Sequence, residues 1–333
     1  MKILFLGLGS IGQRHLVNAK KIFLGSQYYA LRIKKKNLII QEAKLVKKTS
    51  IEKYYKVNIL KNYNEAINLK PDLTFICNPS SKHLNDAIRF AKAGSNLFIE
   101  KPLGDSKVMT KKLINIVKKK KIITMIGFQS RFHPFVEHIK KIIKKKKFGA
   151  LIYGDFRFMT YLPNHHKYEN FKNSYAALKK LGGGVISSLV HEIDLISFFF
   201  GQPKKVYSNK SNSKLIKIEA EDNFCSLMNF NNKSNNFNVF LRLSYTQARE
   251  ERFFKLLFEK VYITCDLMKN EMKFFSNKKN ILIKKYKVNI KRNDLFYKEI
   301  QELKMCINLN KNPRTSLFNI FPSQKLLWNL KGL

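Results

Sequence analysis

Lys2-Ile3-Leu4-Phe5-Leu6-Gly7-Leu8-Gly9-Ser10-Ile11-Gly12-Gln13-Arg14-His15 decides the fold of this chain. An apolar run runs directly into G-x-G-x-x-G, and a helix-compatible stretch follows through Ile22. The order is strand, glycine turn, helix start. Gly7 lets the chain turn tightly, Gly9 lets backbone amides approach a pyrophosphate, and Gly12 lets the helix pack close to the strand with its positive end toward the anion. In this context the motif points to a bound dinucleotide; the glycines alone would be weak evidence.

Working outward, strand-like and helix-like segments alternate. The patterns predict strands at 28–33, 73–77, 96–99 and 122–127, and helices at 38–48, 83–93 and 107–118, with Gly94 ending the second of these at a C-cap position. Such alternation over some 125 residues means a Rossmann-type, doubly wound parallel sheet, assigned to residues 1–127. Residues 128–333 change character. One helix near 135–147 precedes a strand at 151–159, an irregular stretch to Leu181 and a helix over 185–200. Strands then dominate, at 224–230, 238–244, 252–258, 262–266, 272–276 and 281–285, before closing helices near 295–307 and 317–330. This half predicts an α+β domain with a largely antiparallel sheet, a cleft facing the first domain, and a last helix able to pack back on it.

At 333 residues with 44% hydrophobic and 13% aromatic content, the chain is globular, and no apolar run of 18 residues could cross a bilayer. The short apolar N-terminus meets the glycine motif at once, without a cleavage-like site, so the expected location is the cytoplasm. A net charge of +41 would ordinarily suggest nucleic acid or an anionic membrane. Only ten of the 64 basic residues are arginine, however, and readers of bases and phosphates favour arginine's planar fork. The lysine runs at 34–36, 118–121 and 144–147 are therefore taken as solvated surface, with neither nucleic acid nor membrane as partner. Cys77, Cys225, Cys265 and Cys306 show no zinc-like spacing and are expected to be reduced core residues, and no metal is expected.

Two constellations carry chemistry. Glu100-Lys101-Pro102 follows the strand at 96–99, which puts a lysine at the carboxyl edge of the sheet, where ligands bind in open α/β folds. Gly182-Gly183-Gly184 precedes a helix carrying Ser187, Ser188, His191, Glu192 and Asp194. At 100° per residue, Ile186, Leu189, Ile193 and Phe200 share the apolar face, while Ser187, His191 and Asp194 fall opposite. The alternative for that second face is simple solvation; the three glycines argue instead for close approach to a ligand.

With these residues in view the chain resembles the Gfo/Idh/MocA oxidoreductases: GLGSIGQRH at 7–15, NPSSKH at 78–83, EKP at 100–102, GFQSRFHP at 127–134 and GGGVISSLVHEID at 182–194 occur in family order across both halves. The resemblance implies a nicotinamide cofactor held by Gly7, Gly9, Ser10, Ile11, Gly12, Asn78, Pro79, Ser80, His83, Glu100 and Lys101. It implies a sugar, cyclitol or nucleotide-sugar substrate in the second half, with Lys101 as acid/base and His191 assisting. Most relatives place an aspartate where this chain has Ser188, so Glu192 or Asp194 would have to substitute, or the pair works without it.

An NAD site would place an acid at the end of the second strand, but that strand ends Ala30-Leu31-Arg32-Ile33-Lys34, so NADP is preferred over NAD, with Arg32 at the 2′-phosphate. The aperiodic stretch 160–181 carries Tyr161, His165, His166, Tyr168, Phe171 and Tyr175, and aromatic faces suit sugar rings. Tyr161, His165, Tyr175, Ser188, Asp194 and Arg131, the last for a carboxylate or phosphate group, join Lys101 and His191 as expected substrate contacts. The expectation is an oxidoreductase acting on a ring CH–OH carbon, in the manner of relatives of surface-polysaccharide sugar metabolism. A dinucleotide-binding sensor or assembly protein with impaired catalysis is the alternative, and a homodimer or homotetramer is expected from the open sheet.

Overall fold

The computed structural model describes residues 1–32, 37–41, 44–232, 235–279 and 281–333. Ile33 and the lysine run at 34–36 lie outside the described residues. The first half runs β1 (Lys2–Leu6), α1 (Ser10–Ile22), β2 (Gln27–Leu31), β3 (Leu38–Gln41), β4 (Lys44–Lys48), α2 (Ile51–Tyr55), β5 (Asn58–Leu60), α3 (Tyr63–Asn68), β6 (Leu73–Ile76), α4 (His83–Lys92), β7 (Asn96–Ile99), α5 (Lys107–Lys120) and β8 (Thr124–Ile126). Six of these strands form a parallel sheet in the order β5-β2-β1-β6-β7-β8. The chain reverses its winding between β1 and β6, so the loops after them open a crevice at the carboxyl ends. Both faces are covered, which is why the strands are apolar on consecutive residues. Ile3, Phe5, Phe75 and Phe98 share one core with α1, and Leu4, Leu6, Ile76 and Ile99 share the other with α4 and α5.

The second half runs α6 (Pro134–Lys144), β9 (Leu151–Tyr161), a series of short turns, α7 (Val185–Ser188), α8 (His191–Phe200), β10 (Lys205–Ser211), β11 (Asn223–Asn232), β12 (Asn235–Ser244), β13 (Thr246–Phe258), β14 (Val261–Asp266), β15 (Glu271–Ser276), β16 (Leu282–Lys287), α9 (Arg292–Asn308) and α10 (Phe321–Lys331). Among the described residues the sheet order is β10-β11-β12-β9-β13-β14-β15-β16, antiparallel throughout except for the β12–β9 pair. Phe156, Met228, Val239, Leu241 and Phe254 alternate onto the face that packs against α8. α9 crosses back to the first sheet, where Ile300 and Leu303 join Leu16, Ala19 and Phe5.

Several sequence expectations are corrected. In place of the helix expected over 38–48, Leu38–Gln41 and Lys44–Lys48 pair as the antiparallel strands β3 and β4, with β4 exposed along its length. Gln13 of α1 captures β3. The Gln13 amide donates to the carbonyls of Leu8 and Leu38 at 3.0 and 2.9 Å, while its oxygen accepts the Ile40 N–H at 2.8 Å. The helix expected over 185–200 breaks after Ser188, and the helical stretches on either side differ in direction by 53°. Its second face is not solvated: Ser187, His191 and Asp194 are all buried, because α10 packs against α7 and α8 from the other side. The edge strand β10 carries a mostly polar, exposed sequence and escaped pattern reading. Cys225 is exposed, contrary to expectation, since its register opposite Arg242 points it away from the core.

Candidate active site

The crevice begins with the glycine turn. Gly7 adopts φ +93°, a conformation that favours glycine, and a Cβ there would press on Cys77 and Asn78 of the neighbouring loop. A Cβ on Gly12 would overlap the Gly7 carbonyl, so the helix can lie this close to β1 only with glycine. Gly9, in contrast, faces open space at the first turn of α1, which leaves room for a pyrophosphate against the backbone amides. Ser10 lies at that first turn, and Ile11 packs at the edge of the core beneath it. The residues present fit a dinucleotide.

The loop after β6, with Asn78, Pro79 and Ser80, is stapled to the loop after β7 by His83. Its Nδ1 lies 2.8 Å from the Pro102 carbonyl and its Nε2 2.8 Å from the Asn78 carbonyl. The Asn78 amide donates to Asp86 at 2.6 Å, and its own oxygen is buried with no partner among the described residues. Ser80 Oγ is within 3.2 Å of the Leu181 and Gly182 carbonyls, which ties this loop to the triple-glycine segment. Glu100 is buried and accepts from His15 Nε2 at 2.6 Å and from the Lys101 N–H at 3.1 Å. Burial alone would push its carboxyl up; the His15 hydrogen bond and the neighbouring positive charge of Lys101 outweigh that and hold it below the ordinary range.

Arg32 ends β2 as expected, with a nearly buried side chain, but its guanidinium is 2.6 Å from Glu52 Oε1. Glu52 lies on α2, far enough along the chain that the expected spacing for a ribose-binding acid does not find it.

Lys101 stands at the carboxyl edge of β7, and its Nζ donates to the Ser188 backbone carbonyl at 2.7 Å. The break in the helix makes this bond possible. In a continuous helix the Glu192 N–H would occupy that carbonyl, but here it points at the Leu189 carbonyl instead. The Ser188 hydroxyl is buried beside the Tyr245 hydroxyl, to which it donates. His191 follows three residues on, buried, its Nε2 3.2 Å from the Gln129 amide nitrogen and the edge of its ring facing Phe128. With Gln129 as donor, Nε2 accepts and the His191 proton lies on Nδ1, which has no partner among the described residues. Burial, followed by the charges of Lys101, Arg252 and Arg292, holds His191 well below its ordinary value, so it is a neutral imidazole.

His165 joins this group: Thr160 Oγ1 is 2.7 Å from its Nε2. Burial and then His166, Arg292 and Lys101 push it down to about 4. Tyr168 hydrogen bonds to His166 at 3.0 Å, and burial pushes its hydroxyl up to about 12 against a hydrogen bond with Ser10, so the stretch after β9 folds over the glycine turn. Tyr161 and Tyr175 pack their rings against the core.

Two expected substrate contacts are occupied by each other. Arg131 and Asp194 form a buried bidentate pair at 2.9 and 2.6 Å, and the same guanidinium also reaches Ser323 Oγ and the Arg314 carbonyl. The arginine thus holds a carboxylate, but an internal one. Glu192 is likewise committed, to Arg252 at 2.7 Å, and Arg252 also donates to Ser130. Sequence reasoning gave no role to Gln129, Arg252 or Tyr245, whose hydroxyl donates to the Gly184 carbonyl. Gln129 lay inside the quoted GFQSRFHP segment; the other two carried no local signal.

Comparison with known proteins matches this arrangement. Residues 1–128 match the model of the oxidoreductase family with an NAD-binding Rossmann fold, and residues 136–264 match that of the GFO/IDH/MocA C-terminal domain. Among curated proteins, scyllo-inositol 2-dehydrogenase (NAD(+)) of Bacillus subtilis is 26% identical over 201 residues, covering 59% of this chain and 53% of that protein. Levoglucosan dehydrogenase of Pseudarthrobacter phenanthrenivorans is 31% identical over 129 residues, covering 38% of this chain and 32% of that protein. The matched region spans about half or less of these relatives' length. The solved structure of levoglucosan dehydrogenase in complex with NADH shares the fold at TM-score 0.80 and 15% identity, over 99% of this chain and 95% of that one. UDP-N-acetylglucosamine 3-dehydrogenase from Acidithiobacillus ferrooxidans shares it at TM-score 0.77 and 16% identity, over 100% and 96%. With both family models matched in order and the parallel and antiparallel sheets in place, the chain belongs to the Gfo/Idh/MocA oxidoreductase family.

Proposed function

We propose that this protein is an NAD(P)-dependent oxidoreductase that moves hydride to or from a ring CH–OH carbon of a sugar, cyclitol or nucleotide sugar. The observation that carries the reading is the Lys101 ammonium, held 2.7 Å from the Ser188 carbonyl at the carboxyl edge of the parallel sheet, with a neutral His191 three residues further on. Bound nicotinamide would supply or accept the hydride. Lys101 exchanges the hydroxyl proton of the substrate, and His191 offers its Nδ1–H to the substrate oxygen. The turns over 162–181 and the apolar wall around Phe128 exclude water from the reacting atoms.

Arg32 favours the 2′-phosphate of NADP, and Glu52, bonded to it, favours the free ribose hydroxyls of NAD. The NADP preference therefore needs Arg32 to exchange Glu52 for phosphate. A setting in surface-polysaccharide sugar metabolism accords with the nucleotide-sugar relative. The outer face of the second sheet, with Tyr207 and Phe240 exposed, supports a homodimer or homotetramer, which light scattering at micromolar concentration tests.

The test of the activity is reduction of NAD+ or NADP+ with levoglucosan, myo-inositol, scyllo-inositol and UDP-N-acetylglucosamine, read by nicotinamide absorbance. At least one pair should turn over, and Lys101→Met should lose about 100-fold or more in kcat while NADH affinity is kept. Full activity in Lys101→Met removes the lysine from its role. Failure of the folded protein to bind either cofactor overturns the reading as a whole, and binding without turnover across the panel favours the sensor alternative.

A further inference from the structure

Behind Lys101 the core holds a set of polar groups that the proposed chemistry does not use. His15 is fully buried, and its Nε2 sits 2.6 Å from Glu100 Oε1; its Nδ1 is buried with no partner among the described residues. Glu299 of α9 is also fully buried, and both of its carboxylate oxygens lack a partner among the described residues. The two side chains belong to helices in contact, α1 and α9. The His15 ring meets Phe296 at a centroid distance of 5.7 Å, and Glu299 lies one turn beyond Phe296 on the same buried face. An ionised carboxylate stranded there would be without solvent or counter-charge, so a neutral acid is the state the surroundings allow. Burial first, and then the negative charges of Glu100 and Glu302, push the Glu299 carboxyl well above its ordinary range.

The hydrogen-bond logic then runs one way. Glu100 is held as a carboxylate and can only accept, so His15 Nε2 carries the proton. In the neutral ring Nδ1 is then an acceptor in need of a donor, and a protonated Glu299, both of whose oxygens lack a partner among the described residues, is the unused donor on the facing helix. No direct hydrogen bond joins them, and a single ordered water with partners on both sides suits such a site.

We propose that Glu299 is a positioning residue for the Lys101 site: a neutral carboxylic acid that donates, across one ordered water, to Nδ1 of His15, fixing the tautomer whose Nε2–H is given to Glu100 and so keeping Glu100 a carboxylate beside Lys101. This rests on the reading of Lys101 as acid/base. The charged and titratable groups around the set are Glu302, paired with Arg314, on α9; Arg14, stacked over Phe296, on α1; Cys77 at the end of β6; and Lys101 with His83 at the crevice. Arg131, in the neighbouring turn, is already neutralised by Asp194.

The experiment compares wild type, Glu299→Gln and Glu299→Leu, none of which requires a substrate for the primary readout. Infrared spectra at neutral pH should show the carbonyl band of a buried protonated carboxylic acid in wild type and not in Glu299→Gln. Nitrogen NMR of His15 should show the Nε2–H tautomer in wild type and in Glu299→Gln, whose amide still donates, and a mixture of tautomers in Glu299→Leu. Leucine replaces an unsatisfied polar group with an apolar one, so folding is retained, and melting curves verify it. Absence of the protonated band in wild type, or an unchanged His15 tautomer in folded Glu299→Leu, overturns the proposal. Once a substrate is in hand, kcat of Glu299→Leu should fall about tenfold with NADH affinity unchanged, and Glu299→Gln should recover most of it. The spectroscopic results stand even if no substrate is turned over, so failure of this assignment and failure of the dehydrogenase reading give different outcomes.

Discussion

The Lys101 ammonium is held by the backbone carbonyl of Ser188, 87 residues away in sequence, and among the described residues not by any carboxylate. A serine stands where the family resemblance leads one to expect an acid, yet the lysine has an oxygen partner, because the helix breaks at that residue and frees its carbonyl. The Ser188 hydroxyl does not take part in this contact; it is buried beside the Tyr245 hydroxyl, to which it donates. Ser188→Ala should therefore cost about 1 kcal/mol in urea denaturation, since it removes that hydrogen bond, while the Lys101 contact to the backbone carbonyl is kept. An unchanged stability would show that the two hydroxyls are not bonded.

The glycines of the first turn should separate by variant. Gly12→Ala collides with the Gly7 carbonyl and should lower the melting temperature clearly, with cofactor binding lost alongside. Gly9→Ala places its methyl in open space, so the fold should be kept while the methyl intrudes where the pyrophosphate sits. NADH fluorescence titration should show about tenfold weaker binding for Gly9→Ala with an unchanged melt.

The Arg131–Asp194 pair should behave as structure. Asp194→Asn leaves a buried guanidinium without its counter-charge, which typically costs about 3–5 kcal/mol. Urea midpoints measure this directly. If Arg131 instead met the substrate, the variant would be stable and would change KM alone.

Acid should weaken the fold through buried histidines. His133 and His165 are each pushed down to about 4, mainly by burial, against an ordinary value of 6.5. Between pH 6.5 and 4 the unfolded chain binds protons that the folded one refuses, so stability is full above pH 6.5 and falls as the pH drops through that window. Denaturation midpoints at pH 7 and pH 5 should differ, and His133→Gln or His165→Gln should each reduce the difference.

Cofactor choice turns on Glu52. Removing its charge in Glu52→Gln should raise the ratio of NADPH to NADH affinity by about tenfold, a difference of about 1.4 kcal/mol, by leaving Arg32 without the acid it now faces. An unchanged ratio would place the adenosine end of the cofactor away from this pair.

Whereas α2, β5 and α3, at five, three and six residues, were too short to show a period, five of the six strands of the parallel sheet and the crevice at its carboxyl edge were legible because a strand–turn–helix unit advertises itself over a dozen residues. The same holds for Lys101 after β7 and for the glycines before α7. The helix expected over 38–48 gives way to strands because the Gln13 side chain, 25 residues before Leu38, holds β3, and the break at Ser188 was hidden by an apolar face that continues smoothly across it.

Short periods, and glycines where backbone must turn or pack closely, are local properties of the chain, and they set the two-sheet fold and put Lys101 at the carboxyl edge of β7. Which charged groups remain free depends on packing between segments far apart in the chain. Arg131 meets Asp194 across 63 residues, Arg32 meets Glu52 across 20, and Glu299 is buried with no direct partner among the described residues. The reason is that a charge loses its water only when distant segments close around it, and that desolvation, which selects its partner, has no counterpart in any local pattern of residues.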